Sequence, residues 1–461
     1  MFARRSKSYE MDMCSGPILP KILAFSFPLM LTGILQLLYN AADIVVVGRY
    51  AGSVALAAVG STGSLINLIT NLFIGLSVGT SVMVAQYYGA NAHKDVSEAV
   101  HTSIAVAGIS GIILGVFGIV MAKPLLRLMG SPDDVLDHAA LYMRIYFVGM
   151  PAFMLYNFGA SVLRAIGDTR RPLYFLTLSG LVNVCFNLLF VIVFGMGVDG
   201  VAWPTVISQY LSAAMVLYCL MHSSGSIHLN GKQLTVKKDK LLGMIRIGLP
   251  AGLQGSLFSI SNVLIQSAVN SFGSVAMAGN AAAANIEGFV YTSMNAIYQA
   301  AVTFTSQNMG AKRYERINRI AGLCALSVTT IGLVIGWLAY SFAPQLLGVY
   351  SSDPEVIRMG MLRMEMICTT YFACGLMDML VGVLRGLGYS VVPMIVSLAG
   401  ACGLRILWIY TVFAWHHDLT TLYLSYPISW VITAAMHLIT YIYVKRKLDR
   451  QVRDGTLQAA G

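Results

Sequence analysis

Charged residues are scarce in this sequence. Of its 461 residues only 11% are Asp, Glu, Lys or Arg, whereas 57% are hydrophobic. Soluble globular proteins carry about 25% charged residues, so the composition excludes an ordinary soluble domain and also a disordered chain. One membrane-spanning helix uses about 20 apolar residues. The length therefore accommodates roughly a dozen spans with short loops and leaves little chain for a domain outside the membrane.

The sequence also lacks the patterns that would support an enzyme. Its seven cysteines form no Cys-x-x-Cys pair, and its eight histidines have no spacing typical of metal ligands. These absences disfavour a disulfide-stapled scaffold and a metal centre. No Gly-x-x-x-x-Gly-Lys-Ser/Thr loop occurs, so the chain itself is not expected to hydrolyse nucleotides. We expect no catalytic residues and no cofactor beyond a possible bound Na⁺ or H⁺.

Apolar runs bounded by polar clusters predict twelve membrane spans. The predicted spans are 18–47, 55–88, 98–122, 135–160, 173–194, 200–221, 243–270, 276–309, 318–342, 357–383, 391–413 and 419–444. Prolines such as Pro28 fall inside several of them, and proline bends a membrane helix where neighbouring groups satisfy the freed carbonyl. The fold class predicted from these runs is an all-α polytopic membrane protein with twelve transmembrane helices.

Basic residues concentrate on one side of the predicted membrane. Alternating the connections between the two sides places 22 of the 30 Lys and Arg residues, including Arg4, Arg5 and Lys7, on the side of the N-terminus. The opposite connections carry acidic residues such as Asp133 and Asp134. The positive-inside rule then predicts a plasma membrane protein with both termini in the cytoplasm. The net charge of +10 does not indicate a nucleic-acid partner, because no basic cluster belongs to a soluble module.

The sequence repeats itself after about half its length. Matches at one constant offset join Gly52-Ser53-Val54-Ala55 to Gly273-Ser274-Val275-Ala276 and Val162-Leu163-Arg164 to Val383-Leu384-Arg385. The offset between Pro28 and Pro250 is longer by a single position. An ordered series at one offset indicates gene duplication.

The duplication predicts two lobes of six spans each. We expect an N-lobe over residues 1–222, a cytoplasmic linker over 223–242 and a C-lobe over 243–461 with a basic cytoplasmic tail. Six spans return the chain to its starting side, so the halves share one topology and a pseudo-two-fold axis along the membrane normal. Rocking of two such bundles would give alternating access. A structural or channel protein with a fixed cleft is the alternative.

These repeated segments resemble the signatures of multidrug and toxic compound extrusion (MATE) transporters. The resemblance covers essentially the whole chain and is carried by Val162–Thr169 with Pro172, by Val383–Gly386 with Gly388 and Pro393, and by Gln86–Ala90. The stretch Thr303–Asn308 is most similar to bacterial multidrug members. The resemblance implies a two-lobed exporter that expels organic, often cationic compounds in exchange for protons or sodium ions.

Asp43 is an ionisable residue inside the first predicted span. Partial burial disfavours a charged carboxylate, so binding of a proton or a sodium ion near neutral pH would relieve this cost. We therefore predict that Asp43 binds the coupling cation. The alternative is an aspartate that caps the helix end near Arg49.

Neutral oxygen ligands are predicted next to Asp43. Asn183 and Asn187 lie one helical turn apart in span five, and Thr205 of span six adds a hydroxyl. The resemblance places Asp43 and these three residues in the family's N-lobe cation site, with Pro28 as the hinge of span one. Family members with a well-described ion site usually carry Asp where Asn187 stands, so the choice between proton and sodium stays open. Hydrogen bonding between helices is the alternative role for the asparagines.

Among the ionisable residues inside the predicted spans of the second half, we single out Glu287, Asp378 and Arg405. One interpretation is a structural pair of Arg405 with Glu287 or with Asp378, and the other is a functional role. Another branch of the family has an acidic pair in its C-lobe. Phe258 stands where that branch has one of the two residues, a glutamate, so the pair is incomplete in this sequence. We therefore predict coupling in the N-lobe and attraction of cationic substrate by Glu287.

The inner faces of spans one, two, seven and eight are predicted to line the cleft. Together with Glu287, the substrate-binding candidates are Gln36, Tyr39, Met83, Gln254, Asn262, Gln266, Tyr291, Met294 and Tyr298. Methionine and aromatic side chains form adaptable surfaces for lipophilic cations, although plain helix packing is the alternative for each. Arg164 and Arg385 are predicted to bind loop carbonyls or lipid headgroups at cytoplasmic helix ends.

These patterns together predict a monomeric, cation-coupled antiporter in the lipid bilayer that exports small lipophilic or cationic molecules. A lipid-linked saccharide flippase of the same superfamily is the alternative. A flippase cleft should be strongly basic, and Arg405 is nearly the only deep basic residue recognised in the sequence. A receptor or a passive channel is a third possibility.

Overall fold

The computed structural model describes residues 9–131 and 133–457 of the chain. Helices and their connections make up both ranges, and neither range contains a β-strand. Arg4, Arg5 and Lys7, which belong to the predicted basic side, lie outside the described residues. Internal contacts divide the chain into two units. Unit 1 holds the described residues up to Met13 and Leu35–Gly252, and unit 2 holds Cys14–Ile34 and the described residues from Leu253 onward.

The first half of the chain forms long helices joined by short connections. They are α1 (Ile18–Val46), α2 (Ser53–Gly89), α3 (His93–Leu128), α4 (Asp133–Val148), α5 (Met150–Ala165), α6 (Arg170–Leu188) and α7 (Asp199–Met221). Two of these helices end in a wider π-helical turn, Val47–Ala51 after α1 and Leu189–Val193 after α6. The connection between α7 and α8 contains one 3₁₀ turn, Gly231–Gln233.

The second half repeats this arrangement with shorter pieces near its end. Its helices are α8 (Lys238–Asn270), α9 (Ser274–Gly310), α10 (Tyr314–Ser341), α11 (Ala343–Gly348), α12 (Pro354–Cys368), α13 (Tyr371–Gly386), α14 (Val391–Ser397), α15 (Leu404–Tyr410), α16 (Val412–Trp415) and α17 (Leu419–Arg453). A π-helical segment, Leu398–Gly403, joins α14 to α15.

The helices confirm the predicted all-α polytopic membrane fold. Nine helical segments in the described chain are long and apolar enough to span a membrane, and the number rises to eleven if each of two bent pairs forms one span. The remaining predicted span, 276–309, coincides with α9, which is 37 residues long. This helix is long enough to span a membrane but is less hydrophobic than the nine segments, because it contains buried polar side chains such as Asn280, Glu287 and Gln307.

Two predicted spans are bent rather than straight. The span 135–160 consists of α4 and α5, which meet at 48°, and the span 357–383 consists of α12 and α13, which meet at 46°. The first bend lies at Gly149, directly before Met150 and Pro151 at the start of α5. Proline is accepted in the first turn of a helix but cannot continue a preceding one, so this bend follows from the sequence.

The repeated Leu-Arg motif forms the same helix end in both halves. Gly167 and Gly388 adopt φ values of +91° and +92°, which glycine reaches without steric cost. The following amide then donates back into the last turn, from Asp168 to the Leu163 carbonyl and from Tyr389 to the Leu384 carbonyl, each at 2.9 Å. This is the Schellman end of a helix. The motif that carries the family resemblance therefore has a local structural role.

Asp418 defines the start of α17. Its Oδ1 accepts from the Thr421 backbone N–H at 2.9 Å, and its Oδ2 accepts from the Thr421 hydroxyl at 2.6 Å. These hydrogen bonds to the ionised carboxylate hold the pKa of Asp418 below its usual range. The cap satisfies one of the amides that a helix start leaves without an intrahelical partner.

Candidate functional site

Asp43 lies inside α1 and faces α6. The helix continues past Asp43 to Val46 and then through the π-helical turn to Ala51, so Asp43 is not at a helix end. Its side chain is half-buried, and its Oδ1 accepts a hydrogen bond from Asn187 Nδ2. The predicted alternative, an aspartate that caps the helix end, does not describe this position.

Asn183 and Asn187 are both buried, at 5% and 1% exposure. Asn187 Nδ2 donates to Asn183 Oδ1 at 3.1 Å as well as to Asp43. Asn183 Nδ2 lies 3.4 Å from Thr205 Oγ1 on α7. With the Asn183 amide turned over, its nitrogen donates to Asp43 Oδ1 at 3.0 Å and its oxygen accepts from the Thr205 N–H at 3.3 Å. The structure therefore brings Asp43, Asn183, Asn187 and Thr205 together within unit 1.

The Asp43 carboxylate is not neutralised by a basic side chain. Within the described residues no Lys, Arg or His forms an ion pair with it, and Arg49 forms none either. Asn187 Oδ1 is buried and has no hydrogen-bond partner there. A buried carboxylate is costly unless it is paired or protonated. A proton on Asp43, or a sodium ion bound by these carboxylate, amide and hydroxyl oxygens, would satisfy the cluster.

Tyr39 fixes the position of Asp43 relative to α6. It lies one turn before Asp43 on α1, its ring packs against Gly180, and its hydroxyl donates to the Thr177 carbonyl at 3.2 Å. Tyr39 was predicted as a substrate ligand, and in this structure it packs two helices together. The other candidates of unit 1 are Gln36, which is exposed on α1, and Met83, which is buried in α2.

Unit 2 contains a cavity of about 520 Å³. Four of the predicted substrate-binding residues line it, namely Asn262, Gln266, Glu287 and Tyr291, as do Asp378 and Arg405. Aromatic side chains that were not among the candidates complete much of the wall, and these are Phe258, Tyr371, Tyr426 and Trp430. Clefts that bind drug-sized molecules have about 300–1,000 Å³ and mostly apolar walls with a few polar groups, and this cavity matches both features.

Glu287 pairs with Arg363, and the predicted pairing with Arg405 is wrong. Arg363 Nε and Nη2 donate to the two carboxylate oxygens of Glu287 at 2.8 and 2.7 Å. Arg363 Nη1 donates to Asn280 Oδ1 at 2.8 Å. Both carboxylate oxygens of Glu287 are therefore occupied by Arg363, and this pair adds no net charge to the cavity.

Arg405 and Asp378 do not pair with each other either. Arg405 Nε donates to Ser429 Oγ at 2.9 Å, and its guanidinium lies 4.4 Å from the ring centre of Tyr426. Asp378 Oδ2 accepts from the Tyr291 hydroxyl at 3.2 Å. No ion pair in the described chain involves Arg405 or Asp378. The second predicted pair, between Asp378 and Arg405, is therefore absent.

The remaining candidates of unit 2 lie outside the cavity wall. Tyr298 and Gln254 accept hydrogen bonds from Arg385 at 2.6 and 2.9 Å. Met294 is buried and packs against Gly332 and Gly375. Arg385, which was predicted to bind loop carbonyls or headgroups, is 6% exposed and holds two side chains inside the unit. Its counterpart Arg164 donates to Ser161 Oγ at 2.8 Å.

Arg363 was not among the residues predicted from the sequence, and the expectation that Arg405 is nearly the only deep basic residue is wrong. Arg363 and Arg385 are both buried, at 8% and 6% exposure. A signal for Arg363 was present, because it stands inside the predicted span 357–383, where an arginine needs a partner. The identity of that partner is not encoded locally, since Glu287 is 76 residues away.

Comparisons with known proteins agree with these features. A family model described as MatE matches residues 28–189 and again residues 250–411, which confirms the duplication. The chain is 28% identical over 391 residues to the probable multidrug resistance protein YoeA of Bacillus subtilis, covering 83% of this chain and 84% of that protein. It is 24% identical over 388 residues to the probable multidrug resistance protein NorM of Thermotoga maritima, covering 82% of each.

A solved structure described as MATE in complex with MaL6 has the same fold. It superposes with a TM-score of 0.90 at 20% sequence identity, over 96% of this chain and 100% of that one. At this identity the likeness concerns the fold alone.

Proposed function

Since this chain belongs to the MatE family of membrane transporters, we propose that it exports amphipathic, often cationic organic compounds in exchange for protons or sodium ions. The family assignment and the multidrug resistance proteins among its relatives support export of organic compounds. The same assignment supports a transporter rather than an enzyme. The ion coupling is our inference from the cluster around Asp43.

The observation that carries the coupling proposal is the carboxylate of Asp43. It lies inside a membrane helix, accepts from Asn187, and has no basic partner within the described residues. An ionisable group at membrane depth costs about 2.5–3.5 kcal/mol on insertion scales. Binding of a cation offsets this cost, so the free energy of the unit depends on whether the cation is present. Such dependence is what ion coupling requires.

Helix α1 connects this event to the proposed hinge. Pro28 and Asp43 lie on one continuous helix, yet the residues up to Ile34 belong to unit 2 and those from Leu35 belong to unit 1. Proline removes one helical hydrogen bond, and the Thr32 hydroxyl donates to the Pro28 carbonyl at 2.8 Å. We propose that cation binding at Asp43 changes the packing of α1 about Pro28 and so shifts the balance between outward-open and inward-open states.

The energetic requirement of this mechanism is modest. Moving a two-state balance from 1:99 to 99:1 needs a difference in binding free energy of about 5.5 kcal/mol between the states. Cation and substrate can divide this difference between them.

The coupling proposal predicts that Asp43→Asn abolishes gradient-driven export. The amide can still accept from Asn187 but cannot bind a proton, and it binds a sodium ion without charge compensation. We expect at least a tenfold loss of dye efflux from proteoliposomes, with proton and sodium gradients imposed separately, which corresponds to about 1.4 kcal/mol of lost coupling. The gradient that drives dye efflux by the wild type identifies the coupling ion.

Asp134→Asn is the matched control for this experiment. Asp134 is an exposed aspartate at the start of α4, so the same chemical change there should leave efflux unchanged. If Asp43→Asn exports as fast as the wild type at equal protein density, Asp43 is not the coupling residue.

We further propose that the protein is a monomer in the plasma membrane with both termini in the cytoplasm. The orientation is supported by the concentration of Lys and Arg on one side of the spans. The flippase alternative is not favoured. Arg363 is neutralised by Glu287, so the wall of the unit 2 cavity is not strongly basic, and the relatives reported above are named as multidrug resistance proteins.

A further inference from the structure

We propose that the cavity of unit 2 binds an aromatic zwitterion, with a ligand carboxylate at Arg405 and a ligand cation at Asp378. The inference rests on the proposed function, because the ligand would be a transported substrate. It narrows that function from lipophilic cations in general to molecules that carry both charges on a flat aromatic body.

Two of the charged side chains in the cavity are free to meet a ligand. Four charged side chains line it, Glu287, Arg363, Asp378 and Arg405. Glu287 and Arg363 satisfy each other through two hydrogen bonds, and the third nitrogen of Arg363 donates to Asn280. A ligand that contacts Glu287 and Arg363 therefore meets a pair whose charges already neutralise each other. Asp378 and Arg405 remain, with opposite charges and no mutual ion pair.

Arg405 supplies the anion-binding group. It is 3% exposed, and its guanidinium offers N–H donors and no acceptor. Only its Nε has an acceptor among the described residues, Ser429 Oγ at 2.9 Å. The two terminal nitrogens have none there, and the residue lines the cavity. A guanidinium presents its terminal nitrogens as a fork that matches the two oxygens of one carboxylate, so a carboxylate is the group that completes this site.

Asp378 supplies the cation-binding group. The Tyr291 hydroxyl donates to its Oδ2 at 3.2 Å, and within the described residues no basic side chain forms an ion pair with it. A ligand with a positive charge alone would satisfy Asp378 and leave the Arg405 guanidinium buried without a counter-charge. Because an unpaired buried charge is strongly unfavourable, a ligand that carries both charges fits the cavity better than a simple cation.

An aromatic wall connects the two charged groups. The ring centres of Tyr291 and Tyr371 are 6.3 Å apart, and those of Tyr371 and Trp430 are 5.2 Å apart. Tyr291 donates to Asp378 at one end of this row, and Arg405 lies 5.6 Å from the Trp430 ring at the other. All of these residues line the cavity. Rings favour offset stacking with other rings, so the row selects a flat aromatic body between the two ligand charges.

The sequence repeat supports a specialised role for this cavity. At the offset that joins Pro28 to Pro250, the counterpart of Asp43 is Ile265. At the offset of the other matches, the counterpart of Thr205 is Tyr426. Both counterparts line the cavity. The duplicated unit thus has an aliphatic and an aromatic side chain where unit 1 has its carboxylate and hydroxyl, which suits an organic ligand rather than a small ion.

A pair of dyes that differ in one charge tests the proposal. Rhodamine 19 is a zwitterion with a free carboxylate, and rhodamine 6G is its ethyl ester and carries only the positive charge. Binding of each to the purified full-length protein is measured by fluorescence anisotropy, with protein-free detergent micelles as the blank. We expect the wild type to bind the acid more tightly than the ester. Arg405→Gln should lower the affinity for rhodamine 19 by roughly 10- to 100-fold, as expected for a lost charged hydrogen bond. It should change the affinity for rhodamine 6G less than twofold.

Two further variants make the result specific. Arg405→Lys keeps the charge without the fork and should retain part of the preference for the acid. Asp378→Asn should lower the affinity for both dyes, because both carry a positive charge. Retained ester binding by Arg405→Gln shows that this variant is folded. Equal affinity of the wild type for the two dyes, or an equal loss of both in Arg405→Gln, would overturn the proposal.

The same dyes separate this proposal from the proposed function. If wild-type proteoliposomes export neither dye under a proton or sodium gradient while the binding preference holds, the transport proposal fails and the ligand assignment stands. If both dyes are exported and Arg405→Gln slows them equally, the ligand assignment fails and the transport proposal stands.

Discussion

At the scale of single residues, Arg363 is bound at each of its three guanidinium nitrogens. Two of them hold Glu287 and the third holds Asn280, and Tyr423 donates to the same Asn280 oxygen at 3.2 Å. Glu287 and Arg363 are buried at 4% and 8% exposure. Desolvation of such a pair cancels much of its attraction, but removal of one partner leaves a bare charge in the interior.

We predict that Arg363→Met destabilises the protein by roughly 3–5 kcal/mol, because it leaves Glu287 buried and unpaired. The double variant Arg363→Met, Glu287→Gln should recover most of this loss, since no charge then remains. Unfolding of the purified protein in mixed detergent micelles measures both differences.

The control for this pair lies on the same helix. Arg358 and Glu355 form an ion pair at 2.9 Å at the exposed surface of α12. Arg358→Met should change stability by less than about 1 kcal/mol. An equal cost for Arg358→Met and Arg363→Met, or a double variant no better than Arg363→Met alone, would show that pairing of the buried charges does not explain the effect.

Single residues also mark where prediction from sequence ends. Asn183 and Asn187 could be placed on one helix face from their spacing, and the structure has them one turn apart on α6. The partner of Glu287 could not be chosen in the same way. Arg363 and Arg405 both stand inside apolar runs, and only the packing of α12 against α9 decides between them.

At the scale of helices, the two bends are packed in the same way. Gly111 and Gly115 of α3 lie against Pro151 and Phe147 at the bend between α4 and α5. Gly332 and Gly336 of α10 lie against Phe372 and Cys368 at the bend between α12 and α13. Each member of the second set follows its counterpart at the offset of the sequence repeat. Small residues four apart let membrane helices approach closely. Because the same contact occurs at matching positions, both copies of the duplicated half have kept it.

We predict that Gly336→Ala destabilises the protein by about 1–3 kcal/mol, as overpacking does in other tightly packed interiors. A Cβ at this position would overlap the Cys368 carbonyl oxygen, which is backbone and cannot rotate away. Gly322→Ala in the same helix is the control, because a Cβ there meets nothing within 4 Å. That change should be neutral or stabilise by up to about 1 kcal/mol.

Thermal unfolding in detergent separates the two glycine variants. If Gly336→Ala and Gly322→Ala have the same midpoint, the close contact between α10 and the bend does not contribute to stability.

The helices themselves were largely predictable, as was the bend before Pro151, whereas the other irregularities were not. Each of the twelve apolar runs corresponds to a helix or to a set of consecutive helices. The bend at Thr369–Thr370 contains no proline, so the local sequence does not predict it. The π-helical turn Leu398–Gly403 is likewise unmarked, because its extra residue per turn depends on packing rather than on composition.

At the scale of the whole molecule, a duplicated sequence carries two different chemistries. Unit 1 holds a carboxylate among amide and hydroxyl groups, and unit 2 holds an aromatic cavity with two separate charges. The repeat, the span number and the family were evident from sequence patterns, because they depend on composition and on an offset that can be counted. The cavity was not, because its aromatic wall combines residues from α8, α9, α13 and α17.

The proposed orientation predicts which connections are reached from outside the cell. Ser352 lies between α11 and α12 and Ser224 lies between α7 and α8, and both are exposed. In a variant without its seven native cysteines, a membrane-impermeant maleimide applied to intact cells should label Ser352→Cys and leave Ser224→Cys unlabelled. Inverted vesicles should give the opposite result. Labelling of Ser224→Cys from outside would reverse the assignment of both termini.

The polarity of α9 has a consequence for how the protein is made. Its Glu287 leaves the ribosome 76 residues before Arg363, so the carboxylate reaches the translocon before the partner that it has in the folded protein. A segment of this hydropathy has a weak drive to partition into lipid by itself. We therefore expect α9 to be held stably in the bilayer only after α12 has been synthesised and Arg363 can pair with Glu287.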